Sequence, residues 1–278
     1  MTNVVEFPGL NLSFELNKIA LTIAGISIHW YAVLIVLGIV LGIFLCKKSA
    51  EELDVKYEAL IEGLVVGLFA GIIGARLFYV AFHLGEYLDN PVNIINFRDG
   101  GLSIIGGLIV GGYFLLGRCR NMRLKPEEYF DCMVPYVALA QAIGRWGNFI
   151  NVEAYGIAST NFLRMKIPTG EEVHPLFLYE SICTLAIFMI LRFLQKKRKF
   201  KGEITYLYII LYAIIRIIIE QYRVDALMFL GFRVSSVVCF IALIYFGYKY
   251  AKEMYKYINL KINEKKLHKD RRDFTNKD

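Results

Sequence analysis

The stretch ISIHWYAVLIVLGIVLGIFLC, residues 26–46, decides the fold class. It holds no acidic residue, lysine or arginine, and its length matches the roughly 20 residues that cross a bilayer as a helix. Further runs of the same kind lie at Ala59 to Phe82 and at Val234 to Phe246 with its flanks. Around them, 278 residues with 56% hydrophobic and only 21% charged side chains and a mean hydropathy of +0.47 exclude an ordinary soluble domain. Disorder, coiled coils and secreted disulfide scaffolds are excluded on the same grounds. The runs are continuous and too long for tilted strands, so an outer-membrane barrel is excluded too. The reading is an all-α integral membrane protein.

Seven transmembrane helices can be drawn, at about 22–46, 59–82, 101–117, 130–149, 176–195, 203–221 and 233–251. One set of connections carries Lys47, Lys48 and Lys56, then Arg118, Arg120, Arg123 and Lys125, then Lys196 to Lys201, then ten more basic residues from Lys249 to Lys277. The other set holds only Lys18, Arg98, Arg164, Lys166 and Arg223. Basic residues concentrate on the cytoplasmic side, so the N-terminus is expected outside and the C-terminus inside a cell membrane. The expected organisation is a seven-helix catalytic bundle over 1–251 and a lysine-rich cytoplasmic tail over 252–278, drawn to anionic lipid rather than to nucleic acid. Pro126 with Glu127 and Glu128 reads as the first turn of the fourth helix. The connection from Asn151 to His174 is expected to form a small extracytoplasmic cap. Five cysteines without paired spacing read as reduced packing residues, and no cleaved signal peptide is expected.

The informative residues are those that a span should avoid: Arg76, Arg145, Arg216 and Glu220. The topology brings all of them, with Tyr31, to a similar depth in the outer half of the membrane. Arg216, Glu220 and Arg223 stand at i, i+4 and i+7 and share a helix face. That arrangement fits either a structural ion pair or an anion site. Guanidinium offers a planar fork for phosphate oxygens, and the nearest abundant phosphate is a lipid headgroup. The second constellation, Gly144-Arg145-Trp146-Gly147-Asn148-Phe149-Ile150-Asn151-Val152-Glu153-Ala154-Tyr155-Gly156, closes the fourth span. Its glycines allow close backbone approach, and Arg145, Asn148, Asn151 and Glu153 supply donors and acceptors, although a merely polar helix end has the same pattern. Gly106-Gly107 and Gly111-Gly112 read as close helix packing.

The Gly144 to Gly156 segment resembles the signature of bacterial prolipoprotein diacylglyceryl transferases. Other parts match in order: His29-Trp30-Tyr31, Arg76 before Phe78-Tyr79, Asp99-Gly100-Gly101 leading to Gly106-Gly107, His174-Pro175 with Tyr179-Glu180, and Arg216 to Arg223. The resemblance implies an inner-membrane enzyme that moves the diacylglyceryl group of phosphatidylglycerol onto the lipobox cysteine in the signal peptide of a preprolipoprotein. By it, Tyr31, Arg145, Asn148, Glu153, Gly156, Arg216, Glu220 and Arg223 correspond to residues important in the family. The chain departs from the family pattern at Ile105, where histidine is frequent, and at Phe232-Arg233-Val234-Ser235-Ser236, where glycine-glutamine is usual.

The chemistry suits these residues. Arg145 and Arg216 are expected to stabilise growing phosphate charge, with Tyr31, Asn148 and Glu153 as further catalytic candidates. Arg76, Asn151, Gly156, Glu220 and Arg223 join Arg145 and Arg216 in binding phosphatidylglycerol, and Glu220 orients the arginines. The thiol proton passes to Glu153, Tyr31, His29 or water. No metal and no cofactor is expected, and the partners are membrane lipids and the preprolipoprotein. A lipid or anion transporter and a non-catalytic lipid-binding scaffold are the alternatives, and neither yields a thioether.

Overall fold

The computed structural model describes residues 2–23, 25–88, 90–95, 101–229 and 231–275. The protein is mostly helical. The long helices are α1 (Trp30–Leu53), α2 (Tyr57–Phe82), α4 (Ile104–Asn121), α5 (Pro126–Asn151), α6 (Leu176–Gln195), α7 (Glu203–Glu220) and α8 (Val234–Thr275), with a single turn, α3 (Leu84–Tyr87), between α2 and α4. Each falls on one of the stretches expected to be helical. Four of them, α1, α2, α6 and the part of α8 up to Lys266, are long and apolar enough to cross a membrane. Helix α7 carries Glu203, Arg216 and Glu220 within 18 residues, and Arg216 and Glu220 at its C-terminal end build the site. Pro126 begins α5 with Glu127 and Glu128 in its first turn, where proline lacks an N–H that would go unused and the acids face the positive end of the helix dipole.

The all-α expectation needs correction at the N-terminus and in the 151–174 connection. Strand β1 (Thr2–Phe7) pairs antiparallel with β2 (Leu12–Asn17), with Val4 opposite Glu15 and Glu6 opposite Ser13. Its other edge pairs with β5 (Met165–Lys166), which pairs with β6 (Glu172–Val173), giving the sheet order β2-β1-β5-β6. The cause is a strand period of two: Val5 and Phe7 point into a core with Phe149, Met165, Ile167, Val173 and Phe177, whereas Glu6 points out and pairs with Lys166 at 3.1 Å. Phe149 at the end of α5 stacks on Phe177 at the start of α6, with ring centroids 4.4 Å apart, so this sheet is packed directly against the two helix ends that bear site residues. A second correction concerns the first span. Strand β3 (Ile19–Ile23) pairs antiparallel with β4 (Ile26–His29), with Gly25 at φ 78° between them, and α1 starts only at Trp30.

The chain divides into two compact units, residues 1–45 with 133–278 and residues 46–132. In the second, α2 and α4 approach through glycine. A Cβ on Gly111 would lie 2.7 Å from the Gly67 carbonyl oxygen and one on Gly106 2.6 Å from that of Gly74, while Gly112 meets nothing within 4 Å. Close packing therefore holds for Gly106, Gly107 and Gly111 and not for Gly112. Asp99 and Gly100 of the glycine motif, and Arg98, lie outside the described residues.

Candidate active site

The site of the first unit is built around one buried carboxylate. Glu180, in the second turn of α6 and 5% exposed, forms an ion pair with Arg145 of α5 and another with Arg216 of α7 at 3.3 Å. Arg216 turns its second amino group to Glu220, one helical turn on, at 2.8 Å and to the Ser235 hydroxyl of α8 at 3.4 Å. Glu220 is 1% exposed. Charges taken this far out of water persist only when paired, and here each guanidinium has a carboxylate and each carboxylate a guanidinium, although Glu220 Oε2 lies at ion-pair distance from Arg216 without a hydrogen bond. The α5–α6 contact that carries Arg145 to Glu180 is fixed beside it: Ser181 donates to the Ala142 carbonyl at 2.9 Å and receives the Trp146 indole N–H at 3.2 Å.

Around this pair the remaining α5 residues fall in order. Arg145 donates to Asn148 Oδ1 at 3.4 Å, and Asn148 and Asn151 both donate to Glu153 Oε1, at 2.9 and 3.3 Å. Glu153 is exposed. It is aimed by the helix end: the Val152 N–H bonds to the Phe149 carbonyl and the Glu153 N–H to that of Asn148, both at 3.0 Å. This is the double bond of a Schellman motif. The left-handed position that it needs is filled by Val152 at φ 54°, and Ala154 follows at φ 55°, conformations that cost L-residues about 1–2 kcal/mol each. Tyr31, in the first turn of α1, lies on Gly147, where an added Cβ would stand 2.5 Å from the Tyr31 ring. Gly156 is enclosed in the same way: an added Cβ would stand 2.7 Å from Cβ of His174 and 3.0 Å from the Tyr222 carbonyl oxygen. Its N–H donates to the His174 carbonyl at 2.9 Å, and the Ile157 N–H to the Tyr222 carbonyl at 2.7 Å. Gly156 thus joins the turn after α7 to the entry of α6.

That turn carries Arg223, which holds Asp225 in a two-pronged pair, Nε to Oδ1 at 2.6 Å and Nη2 to Oδ2 at 3.1 Å. The hydrogen bond from Arg223 keeps the Asp225 carboxyl below the usual carboxylate range, and Asp225 raises Arg223 in turn. A cavity of ≈ 360 Å³ opens over these groups, lined by Arg216, Glu220, Arg223, Asp225 and Ser235 among others. With Glu180 and Asp225 counted, the three arginines of this cluster, Arg145, Arg216 and Arg223, meet three carboxylates. The surplus cation is Arg233 at the end of β8 (Phe232–Arg233), which closes a short hairpin with β7 (Met228–Phe229).

Arg76 belongs to the other unit and is 4% exposed. It donates to the carbonyls of Ile94, Asn93 and Gly101 at 2.8, 2.6 and 3.0 Å, which ties the loop before α4 to α2. Ile105 and His29 are exposed. Sequence reasoning did not rank Glu180, Asp225, Arg233 or Ser235 among the site residues. The available signal for Glu180 was its place as the only acid of α6. Among the described residues there is no cluster of histidine, cysteine and carboxylate groups able to hold a metal.

These features define a mostly helical membrane protein with a buried arginine–carboxylate cluster beside a cavity lined by both charged and apolar side chains. The chain belongs to the prolipoprotein diacylglyceryl transferase family, whose profile matches residues 18–250. It is 41% identical over 245 residues to the phosphatidylglycerol–prolipoprotein diacylglyceryl transferase of Finegoldia magna, covering 87% of this chain and 98% of that protein. To the enzyme of the same name from Streptococcus pyogenes serotype M5 it is 40% identical over 238 residues, covering 82% and 92%.

Proposed function

We propose that this protein transfers the diacylglyceryl group of phosphatidylglycerol to the lipobox cysteine of a preprolipoprotein. The thiolate sulfur attacks the glycerol carbon that bears the phosphoester. A carbon–sulfur bond forms, the carbon–oxygen bond to phosphate breaks, and the electron pair leaves with glycerol phosphate. The observation that carries the reading is the bridging of Arg145 and Arg216 by Glu180, with Arg216 itself lining an open cavity. Two rigid forks held by one carboxylate are already oriented when the lipid arrives, so little reorganisation is needed as charge grows on the departing phosphate.

Charge decides the sequence of events. Arg145, Arg216 and Arg223 pair with the three carboxylates Glu180, Glu220 and Asp225, and Arg233 adds a fourth guanidinium on the Glu220 and Arg223 carbonyls. A phosphodiester monoanion adds one negative charge beside these arginines, and the extra negative charge of the leaving phosphate finds arginine N–H groups rather than solvent. Glu220 acts by holding Arg216 and does not touch the phosphate. Arg223 meets the headgroup at the rim, exchanging part of its contact with Asp225, while Asn151 and Gly156 shape the wall. The thiol proton goes to Glu153, Tyr31, His29 or water; both asparagine hydrogen bonds of Glu153 end on Oε1, so Oε2 retains lone pairs for it. Arg76 supports lipid binding through the loop that it secures.

The same proposal includes the topology: seven membrane-crossing helices within the catalytic region 1–251, an external N-terminus, the N-terminal sheet as an extracytoplasmic cap, and the tail 252–278 in the cytoplasm of a bacterial cell. The Lys/Arg distribution supports it. The test is purified full-length protein with phosphatidylglycerol and a lipobox peptide. A mass gain of one diacylglyceryl group on the cysteine, absent with a Cys→Ser peptide, supports transfer. Lipid movement between leaflets without that product refutes it in favour of a transporter.

A further inference from the structure

The three residues after α7, Gln221 to Arg223, carry the headgroup arginine, yet they lie beyond the last helical hydrogen bonds. Their N–H groups fold back on Ile218, Ile219 and Glu220 at 3.3, 3.0 and 3.2 Å, the tightened turn with which a helix ends. Their carbonyls need donors from elsewhere. Ile157 supplies one, to Tyr222 at 2.7 Å. The other side is held by a side chain: Arg233 Nη1 donates to the Arg223 carbonyl at 3.0 Å and also to the Glu220 carbonyl. A guanidinium at this spot satisfies the Arg223 carbonyl, adds a second donor to that of Glu220 and meets the negative end of the α7 dipole. The hairpin β7–β8 delivers it, closed by the Val234 N–H on the Leu227 carbonyl at 3.0 Å. Two residues on, Ser235 meets Arg216 in the cavity. The Phe232 to Ser236 segment, where the chain departs from the pattern of the family it resembles, is therefore one of the builders of the site.

We propose that Arg233 is a positioning residue: by fastening the carbonyls of Glu220 and Arg223 from α8, it fixes where Arg223 presents its guanidinium to the phosphate of the lipid substrate. This rests on the transfer reading above. Because Arg233 grips backbone oxygens, those of Glu220 and Arg223 among the described residues, its removal should spare the Arg145–Glu180–Arg216 contacts and loosen the rim.

The experiment compares wild type, Arg233→Ala and Arg233→Lys as full-length protein in nanodiscs. Three readouts are used: KM and kcat for phosphatidylglycerol, binding of short-chain phosphatidylglycerol, and amide exchange across 218–226. Arg233→Ala should raise KM and weaken binding roughly tenfold or more, the scale of losing a charged hydrogen bond, with kcat much less changed and exchange faster at 221–223. Lysine, able to grip one carbonyl at a time, should restore part of both effects. Unchanged KM and binding in Arg233→Ala overturn the proposal, whether or not exchange rises, since faster exchange alone marks a purely structural cap. If Arg233→Ala does not fold, Arg233→Lys decides: wild-type KM and binding overturn the proposal, and a several-fold loss upholds it. Wild type that binds lipid without turnover overturns the transfer reading, and the binding data still decide the role of Arg233.

Discussion

Replacing Glu180 by glutamine keeps the shape of the side chain and deletes the charge on which the site is organised. Glu180 is 5% exposed and contacts both Arg145 and Arg216, so solvent cannot compensate for its loss. Removing one partner from a buried ion pair costs about 3–5 kcal/mol, because the other charge stays behind. Here two arginines would be left with Glu220 as the remaining buried carboxylate. The expected outcome is a marked fall in the midpoint of thermal unfolding in detergent, with a drop in turnover per folded molecule of about tenfold or more as Arg145 and Arg216 lose their shared anchor. Glycerol phosphate should then act as a substitute anion, raising the midpoint of Glu180→Gln more than that of wild type, since a ligand that binds only the folded state stabilises in proportion to its affinity. Thermal unfolding with and without glycerol phosphate, alongside turnover, measures both. A variant with wild-type stability and turnover, or equal stabilisation of the two proteins by the ligand, would refute the reasoning.

Gly156→Ala should destabilise by about 1–3 kcal/mol and lower activity, because its methyl would overlap Cβ of His174 and the Tyr222 carbonyl oxygen; thermal unfolding and the peptide assay check this. The Arg223–Asp225 pair, with the Asp225 carboxyl held low by Arg223, contributes fully above the ordinary carboxylate value of about 3.9 and is lost only as pH falls through the lowered one. Asp225→Asn should therefore leave the shape of the pH–rate profile between about pH 5 and 8 unchanged, whatever it does to the maximum; a new midpoint there would contradict the assignment. A cysteine placed at Thr160 should react with an impermeant reagent from outside the cell, and labelling only from the cytoplasmic side would overturn the topology.

Helices were legible because membrane-length apolar runs leave few alternatives, and the range 176–195 coincides with α6. The hairpin at 19–29 was not, since Ile19, Leu21, Ile23 and Ile26 extend the apolar run and hydropathy alone does not separate a strand from a span. The N-terminal sheet was missed because β1 finds its second partner at Lys166, far along the chain. Within the site, Arg216 and Glu220 were legible as neighbours from helical spacing, as was the order of Arg145, Asn148 and Glu153 at the end of α5. Glu180 was quoted as part of a motif without a role, because its partners are 35 and 36 residues away and no local period connects them. Arg233 escaped for a related reason. It grips backbone carbonyls, and such contacts leave no trace in the identity of the residues gripped.

The most direct test of the account is turnover per folded molecule for wild type, Arg216→Lys and Arg216→Ala in nanodiscs. Lysine keeps the charge but replaces a planar fork, which here spans Glu180 and Glu220, with a point charge on a flexible stem. If Arg216 recognises the departing phosphate, Arg216→Lys should insert and fold yet turn over more slowly by about tenfold or more, the equivalent of one charge-assisted hydrogen bond of about 1.5–3 kcal/mol. Near-normal turnover by Arg216→Lys, with Arg216→Ala reducing only the amount of folded protein, would reduce the cluster to a structural ion pair and contradict the account.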